Sequence, residues 1–177
     1  MKRAAAFLVV LLALVAASCN RPQTGSTVVL VVRHAEKASD VDDSPLSDAG
    51  TQRAQALAGA AADAGVSAIY TTQFKRNQDT ARPLSERTGV ALTPVPVNLS
   101  NPGDYGKSLA KDILEKHAGQ TVLVVGHANT VPLIVEGLTG KPVEGGDAQY
   151  QDLFVVIIPP SGPARVIKTR YGQPSGG

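Results

Sequence analysis

The sequence predicts an α/β domain whose sheet is mostly parallel and carries one antiparallel strand. Three observations predict it. From Thr27 onward, short β-branched runs alternate with amphipathic helical patterns, and such alternation implies parallel strands joined by right-handed crossovers. The first run reads TVVLVVR from Thr27 to Arg33 and has no polar face, so it belongs inside a sheet covered on both sides. The last two runs are separated only by Pro-Pro-Ser-Gly-Pro at 159–163, a hairpin-length link that sets one strand against the rest.

In chain order, the strand runs are 27–33, 67–71, 91–97, 120–126 and 152–158, with a weaker one at 164–170. Their shortness and β-branched content favour strand over helix. The first helix is capped by Ser47, carries Ala54, Leu57, Ala58 and Ala61 on one stripe and stops at Gly65. A second covers about 72–87, before Gly89, and a third about 102–117, before Gly119. The fourth begins after His127 and is expected to stop near Gly137. The tail from Gly172, GQPSGG, reads as disordered.

The 177 residues suffice for one domain with a sizeable core. With three Phe, four Tyr and no Trp, that core must rest on Val, Leu, Ile and Ala. Formal net charge is +2 and no basic stripe is interleaved with aromatics, which argues against nucleic acid as a partner. Residues 1–19 form a separate unit. Lys2 and Arg3 precede an apolar stretch from Ala4 to Ala17, followed by Ser18 and Cys19. This is the pattern of an export signal, and it is short for a membrane span. Ala16-Ala17-Ser18-Cys19 resembles a bacterial lipobox, with Ala16 where leucine is usual. Cys19 is then the expected lipidation site; the alternative is simple cleavage that releases the protein to the periplasm or medium. Cys19 is the only cysteine, so no disulfide can form within the chain. Residues 20–26 read as a tether spanning at most roughly 25 Å at about 3.4 Å per residue.

Chemistry concentrates at two strand ends. TVVLVVRHAE at 27–36 and QTVLVVGHANT at 120–130 are both apolar strands that run directly into a histidine. Ligands of open α/β sheets bind outside the carboxyl ends of the strands. If the two strands are neighbours, His34 and His127 face one pocket, with Arg33 beside them. A single histidine after a strand is ordinarily a loop residue; two in matched positions, two of only three in the chain, point to a site. His117 lies at a helix end, where a cation suits the macrodipole, and reads as structural. Lys75 and Arg76 fall in the first turn of the second helix, where cations are unfavourable unless an anion offsets them. They read either as anion ligands or as a solvated pair.

Together these residues resemble the histidine phosphatase superfamily, which includes cofactor-dependent phosphoglycerate mutases and phosphohistidine phosphatases. Arg33-His34-Ala35-Glu36 is similar to its Arg-His-Gly-Glu signature. Pro45-Leu46-Ser47 with Gly50 looks like the opening of its first helix, and Phe74-Lys75-Arg76 with Thr80-Ala81 like its second arginine motif. Gly126-His127-Ala128-Asn129-Thr130 resembles its second histidine motif. The matches come in the family's order over about residues 27–158. The resemblance implies a phosphoglycerate mutase-like three-layer α/β/α sandwich with a six-stranded mixed sheet, as a domain over 27–171.

It also implies a phosphatase. His34 is the expected nucleophile, forming a phosphohistidine. Arg33, Arg76 and a protonated His127 are expected to clamp the phosphoryl oxygens, with backbone amides from Ala128 and the helix start. No metal and no cofactor are expected. The substrate is a small phosphorylated molecule or a phosphoprotein, and the membrane is met only through the N-terminal anchor. The proton donor stays open. The stretch 82–119, which supplies the acid in many relatives, is short and has no recognisable match. Glu36, Asp40, Glu86, Asp104 and Asp152 are the carboxylate choices, with Tyr150 from another loop. Without an acid, activated leaving groups would be favoured. Two other readings are a phosphate-ligand binding or regulatory module without turnover, and a phosphomutase. Asp40 stands where the mutases carry asparagine, and export would separate a mutase from its cytoplasmic substrate pool.

Overall fold

The computed structural model describes residues 25–174. The expected export signal at 1–19 with Cys19, tether residues 20–24 and tail residues 175–177 lie outside the described residues. Strands β1 (Thr27–Arg33), β2 (Val66–Thr71), β3 (Leu92–Pro94), β4 (Thr121–Gly126), β5 (Asp152–Ile158) and β6 (Arg165–Arg170) form one sheet in the order β3-β2-β4-β1-β5-β6. β1 is parallel to β4 and antiparallel to β5, which is in turn antiparallel to β6. β5 is therefore the strand that opposes the others, as the short 159–163 link requires.

Helices α1 (Asp48–Ala61) and α2 (Lys75–Thr88) cover one face, and α3 (Tyr105–Lys116) and α4 (Thr130–Thr139) cover the other. The unbroken apolar run of β1 follows from this. Val29 and Val31 pack under α3 and α4, while Leu30 and Val32 pack under α1 and α2. Alternate side chains of a strand point to opposite faces, so a central strand between two helical layers needs apolar residues at every position.

Three elements differ from the sequence expectation. β3 pairs over three residues only, because Pro94 and Pro96 have no N–H to extend the ladder. α4 does not stop at Gly137 but runs to Thr139, ending on Gly140 in the left-handed region at φ 69°. Gly137 lies inside the helix because α3 crosses there: a Cβ on it would sit 2.6 Å from the Gly106 carbonyl oxygen. Residues 172–174, expected within a disordered tail, are held against α1. The Tyr171 and Gln173 carbonyls accept hydrogen bonds from Arg53 of α1 at 3.1 and 2.9 Å.

Candidate active site

The β1–β4 register sets Arg33 opposite Gly126, so the next residue of each strand, His34 and His127, emerges at the same sheet edge. Their ring centroids are 5.3 Å apart and the ring planes meet at 67°. Both are buried, with 4 and 3 % of their surface exposed. His34 Nδ1 lies 2.7 Å from the Ala35 carbonyl oxygen. A carbonyl can only accept, so Nδ1 carries the proton and Nε2 keeps its lone pair. Burial first, and then the charges of Arg33, Arg76 and Lys37, lower the His34 pKa to about 3.

His127 Nε2 meets the Thr72 hydroxyl at 2.9 Å, and the Phe74 ring stands edge-on 5.3 Å away. Burial, then the charges of His34, Arg76 and Arg33, lower its pKa to about 3 as well. This corrects the expectation of a protonated His127: with two guanidinium groups beside it and no solvent to stabilise a further cation, the ring is neutral. It still has one N–H to donate.

The two arginines are held along their edges. The Arg33 guanidinium lies 3.8 Å over the Tyr150 ring, and its Nη1 donates to the Ala148 carbonyl at 3.2 Å. Arg76 lies 4.3 Å over the Phe74 ring, and its Nη1 donates to the Asp42 carbonyl at 2.6 Å. Both Nε atoms are buried without a hydrogen-bond partner among the described residues. Burial pulls the Arg76 pKa below its ordinary value, against the charges of Asp42 and Asp43. Buried, partly unsatisfied guanidinium forks are costly unless an anion completes them.

α2 braces this arrangement. Asn77 donates to the Val125 and Gly126 carbonyls at 3.0 and 2.9 Å, tying the helix to the end of β4. The Thr80 hydroxyl donates to the Arg76 carbonyl and accepts from the Ala35 amide, fixing the turn after His34. The exposed loop before Ser44 reaches the same helix end, where the Asp43 carboxylate accepts from the Lys75 amide at 2.8 Å. That long-range cap offsets the unfavourable cations of the first turn. Lys75 itself is exposed. Sequence reasoning did not single out Thr72 or Asn77, and named Phe74 only as part of the second arginine motif; polar residues on the buried side of an amphipathic helix were the available signal for Asn77.

The structure therefore brings Arg33, His34, Arg76 and His127 together, with Ala128 next to them. The Ala128 carbonyl accepts from the Ala148 amide at 3.0 Å, while the Thr130 and Val131 amides turn back to the His127 carbonyl. The five carboxylates stand apart from this cluster. Glu36 faces Arg53, which donates through Nε and Nη2 at 2.9 and 2.7 Å. Burial works to raise its pKa, but the Arg53 hydrogen bonds, with its own amide and the charges of Arg53 and Arg33, win and hold it below its ordinary value. It stays ionised. Asp40 pairs with Lys37 at the surface. Asp152 is buried against Lys168 at 2.9 Å and accepts from the Gln149 amide. Glu86 and Asp104 are exposed; Glu86 lies ten residues, about 15 Å, along α2 from Arg76. His117 is structural: Nδ1 meets Gln120 Oε1 and Nε2 meets the Tyr70 hydroxyl. Among the described residues, no group of three or more His, Cys, Asp or Glu could hold a metal ion.

The fold is that of a phosphoglycerate mutase-like α/β protein, with two histidines and two arginines gathered at one sheet edge. Residues 29–98 match the family model of the histidine phosphatase superfamily (branch 1), which bears out the resemblance seen in the sequence. No curated protein matches the chain. Solved structures do. A mycobacterial glucosyl-3-phosphoglycerate phosphatase is 16 % identical with a TM-score of 0.63, covering 80 % of this chain and 97 % of its own. The protein histidine phosphatase SixA complexed with tungstate is 16 % identical with a TM-score of 0.62, over 81 % of this chain and 96 % of its own. A protein from Agrobacterium tumefaciens assigned as the phosphohistidine phosphatase SixA is 21 % identical with a TM-score of 0.56, over 85 % of this chain and 100 % of its own. At these identities the likeness is one of fold.

Proposed function

We propose that the protein is a metal-independent phosphatase that hydrolyses a phosphomonoester or a phosphohistidine through a phosphohistidine on His34. One observation carries the reading: the lone-pair nitrogen of His34 stands beside Arg33 and Arg76, whose buried Nε donors have no hydrogen-bond partner among the described residues. The His34 nitrogen attacks phosphorus in line, and the P–O or P–N bond to the leaving group breaks. Charge in that transition state spreads over the equatorial oxygens, so catalysis is mainly clamping. Arg33 and Arg76 offer planar forks for those oxygens. His127, neutral in its buried setting, is a third donor through its one ring N–H. Burial, with the charges of Arg33, Arg76 and Lys37, keeps His34 unprotonated before the substrate binds. Water then attacks the phosphohistidine and returns the free imidazole.

We place this activity outside the cytoplasm, on a lipid anchor at Cys19, because the lone cysteine ends an apolar export-type run. The function is tested by assaying the full chain against 4-nitrophenyl phosphate with chelator present. Turnover that survives chelation supports the reading. Tight phosphate binding without turnover makes the protein a binding module, and loss on chelation refutes the metal-independent mechanism.

A further inference from the structure

The pocket has a nucleophile and phosphate clamps, but Glu36, Asp40, Asp152, Glu86 and Asp104 are engaged elsewhere or exposed. One proton-bearing group does stand at its mouth. Tyr150, in the turn before β5, is half-buried with its ring under the Arg33 guanidinium at 3.8 Å. The same ring is 5.9 Å from the His34 ring at 61°. The ring therefore lies against both the Arg33 guanidinium and the His34 imidazole. No hydrogen bond from that hydroxyl to a described residue occurs. The segment is held in place by the Ala148 amide on the Ala128 carbonyl and by Arg33 on the Ala148 carbonyl.

A structural tyrosine would use its ring alone, and phenylalanine would do that equally well. A hydroxyl carried by a ring that adjoins both Arg33 and His34 has a further use. We propose that Tyr150 is the proton donor to the leaving group, so that the site accepts phosphate monoesters of ordinary alcohols and not only activated esters. The inference rests on the phosphatase reading of the pocket. As the His34 nitrogen bonds to phosphorus and the P–O bond breaks, its electron pair passes to the leaving oxygen, which takes the phenolic proton. In the second step water bonds to phosphorus, the P–N electron pair returns to His34, and the water's proton restores the phenol. A positioned donor contributes about 10²–10⁴-fold where the leaving oxygen is strongly basic, and little where it is not. Asp42 is the rival: its carbonyl already bonds Arg76, and its carboxyl sits on an exposed loop.

The test compares kcat/KM of the full chain on benzyl phosphate and 4-nitrophenyl phosphate, which are similar in size and differ in leaving-group basicity. Tyr150→Phe keeps the ring under Arg33. It is expected to lose about 10²-fold on the benzyl ester and to stay within about threefold on the nitrophenyl ester. The wild type should show a solvent deuterium isotope effect on the benzyl ester that the variant lacks. Equal losses on both esters, or no loss on either, would overturn the proposal and leave Tyr150 as a support for Arg33. A selective loss in Asp42→Asn instead would assign the proton to that loop. If the wild type hydrolyses neither ester, the phosphatase reading itself fails, an outcome distinct from unchanged selectivity in an active enzyme.

Discussion

Arg53 of α1 grips Glu36, two residues beyond His34, through Nε at 2.9 Å and Nη2 at 2.7 Å. The arginine is 4 % exposed and the carboxylate 19 %, and the same guanidinium holds the Tyr171 and Gln173 carbonyls. One side chain thus joins the turn after His34 to the end of the described chain. Removing one partner of a buried pair typically costs about 3–5 kcal/mol. Arg53→Met is expected to destabilise the protein towards the lower end of that range, since Glu36 keeps some solvent. Urea denaturation measures it, and a loss below about 1 kcal/mol, the value of a surface pair, would show that the contact is incidental.

His34→Ala is expected to lower turnover of an aryl phosphate at least about a thousandfold, equivalent to about 4 kcal/mol of transition-state stabilisation. Its circular dichroism should match the parent, because the residue sits at the sheet edge and not in either core cluster. Rapid quenching with radiolabelled substrate should trap label on the parent and none on the variant. Activity within tenfold of the parent, with label on another residue, would remove His34 from the nucleophile role.

The two lowered histidine pKa values make stability depend on pH with a definite sign. Folded His34 and His127 stay neutral down to about pH 3, whereas the unfolded chain protonates both near pH 6.5. Between those values the unfolded state binds up to about two more protons, so stability rises with pH across this window. The melting temperature should be highest above pH 6.5 and fall as the pH drops towards 3. A His34→Asn/His127→Asn double variant should show a flatter profile. A parent profile that is flat, or that rises on acidification, would contradict the buried neutral pair.

The α3–α4 crossing is expected to be intolerant of a single methyl group. A Cβ on Gly106 would overlap the Leu133 carbonyl, and one on Gly137 would press on the Gly106 carbonyl. These are rigid backbone atoms and cannot rotate away. Gly137→Ala should therefore destabilise by about 1–3 kcal/mol, although alanine is the better helix former. A stabilised variant, seen as a higher urea midpoint, would show that the helices can separate without cost.

Cys19→Ala is expected to move the protein from the membrane fraction to the soluble fraction of its native host. The only cysteine of the chain ends the apolar run of residues 4–17, and a lipid chain there would be the anchor. Equal membrane retention in the variant would replace the lipid reading with an uncleaved apolar anchor.

The sequence by itself determined the class of fold and the core of the site. TVVLVVR needs cover on both faces, the 159–163 link forces an antiparallel strand, and two strands each running into a histidine mark one sheet edge. These are local signals of periodicity and strand ends, readable without knowing what packs against what. Tertiary structure alone decided the rest, because it depends on contacts between residues distant in the chain. Gly137 reads as a stop until Gly106 is found against it. His127 reads as a cation until the guanidinium groups of Arg33 and Arg76 are placed beside a buried ring. Glu36 reads as a possible acid until Arg53, seventeen residues on, takes both its oxygens. Tyr150 stands more than one hundred residues from Arg33, and only the pairing of β5 against β1 lays its ring beneath that guanidinium.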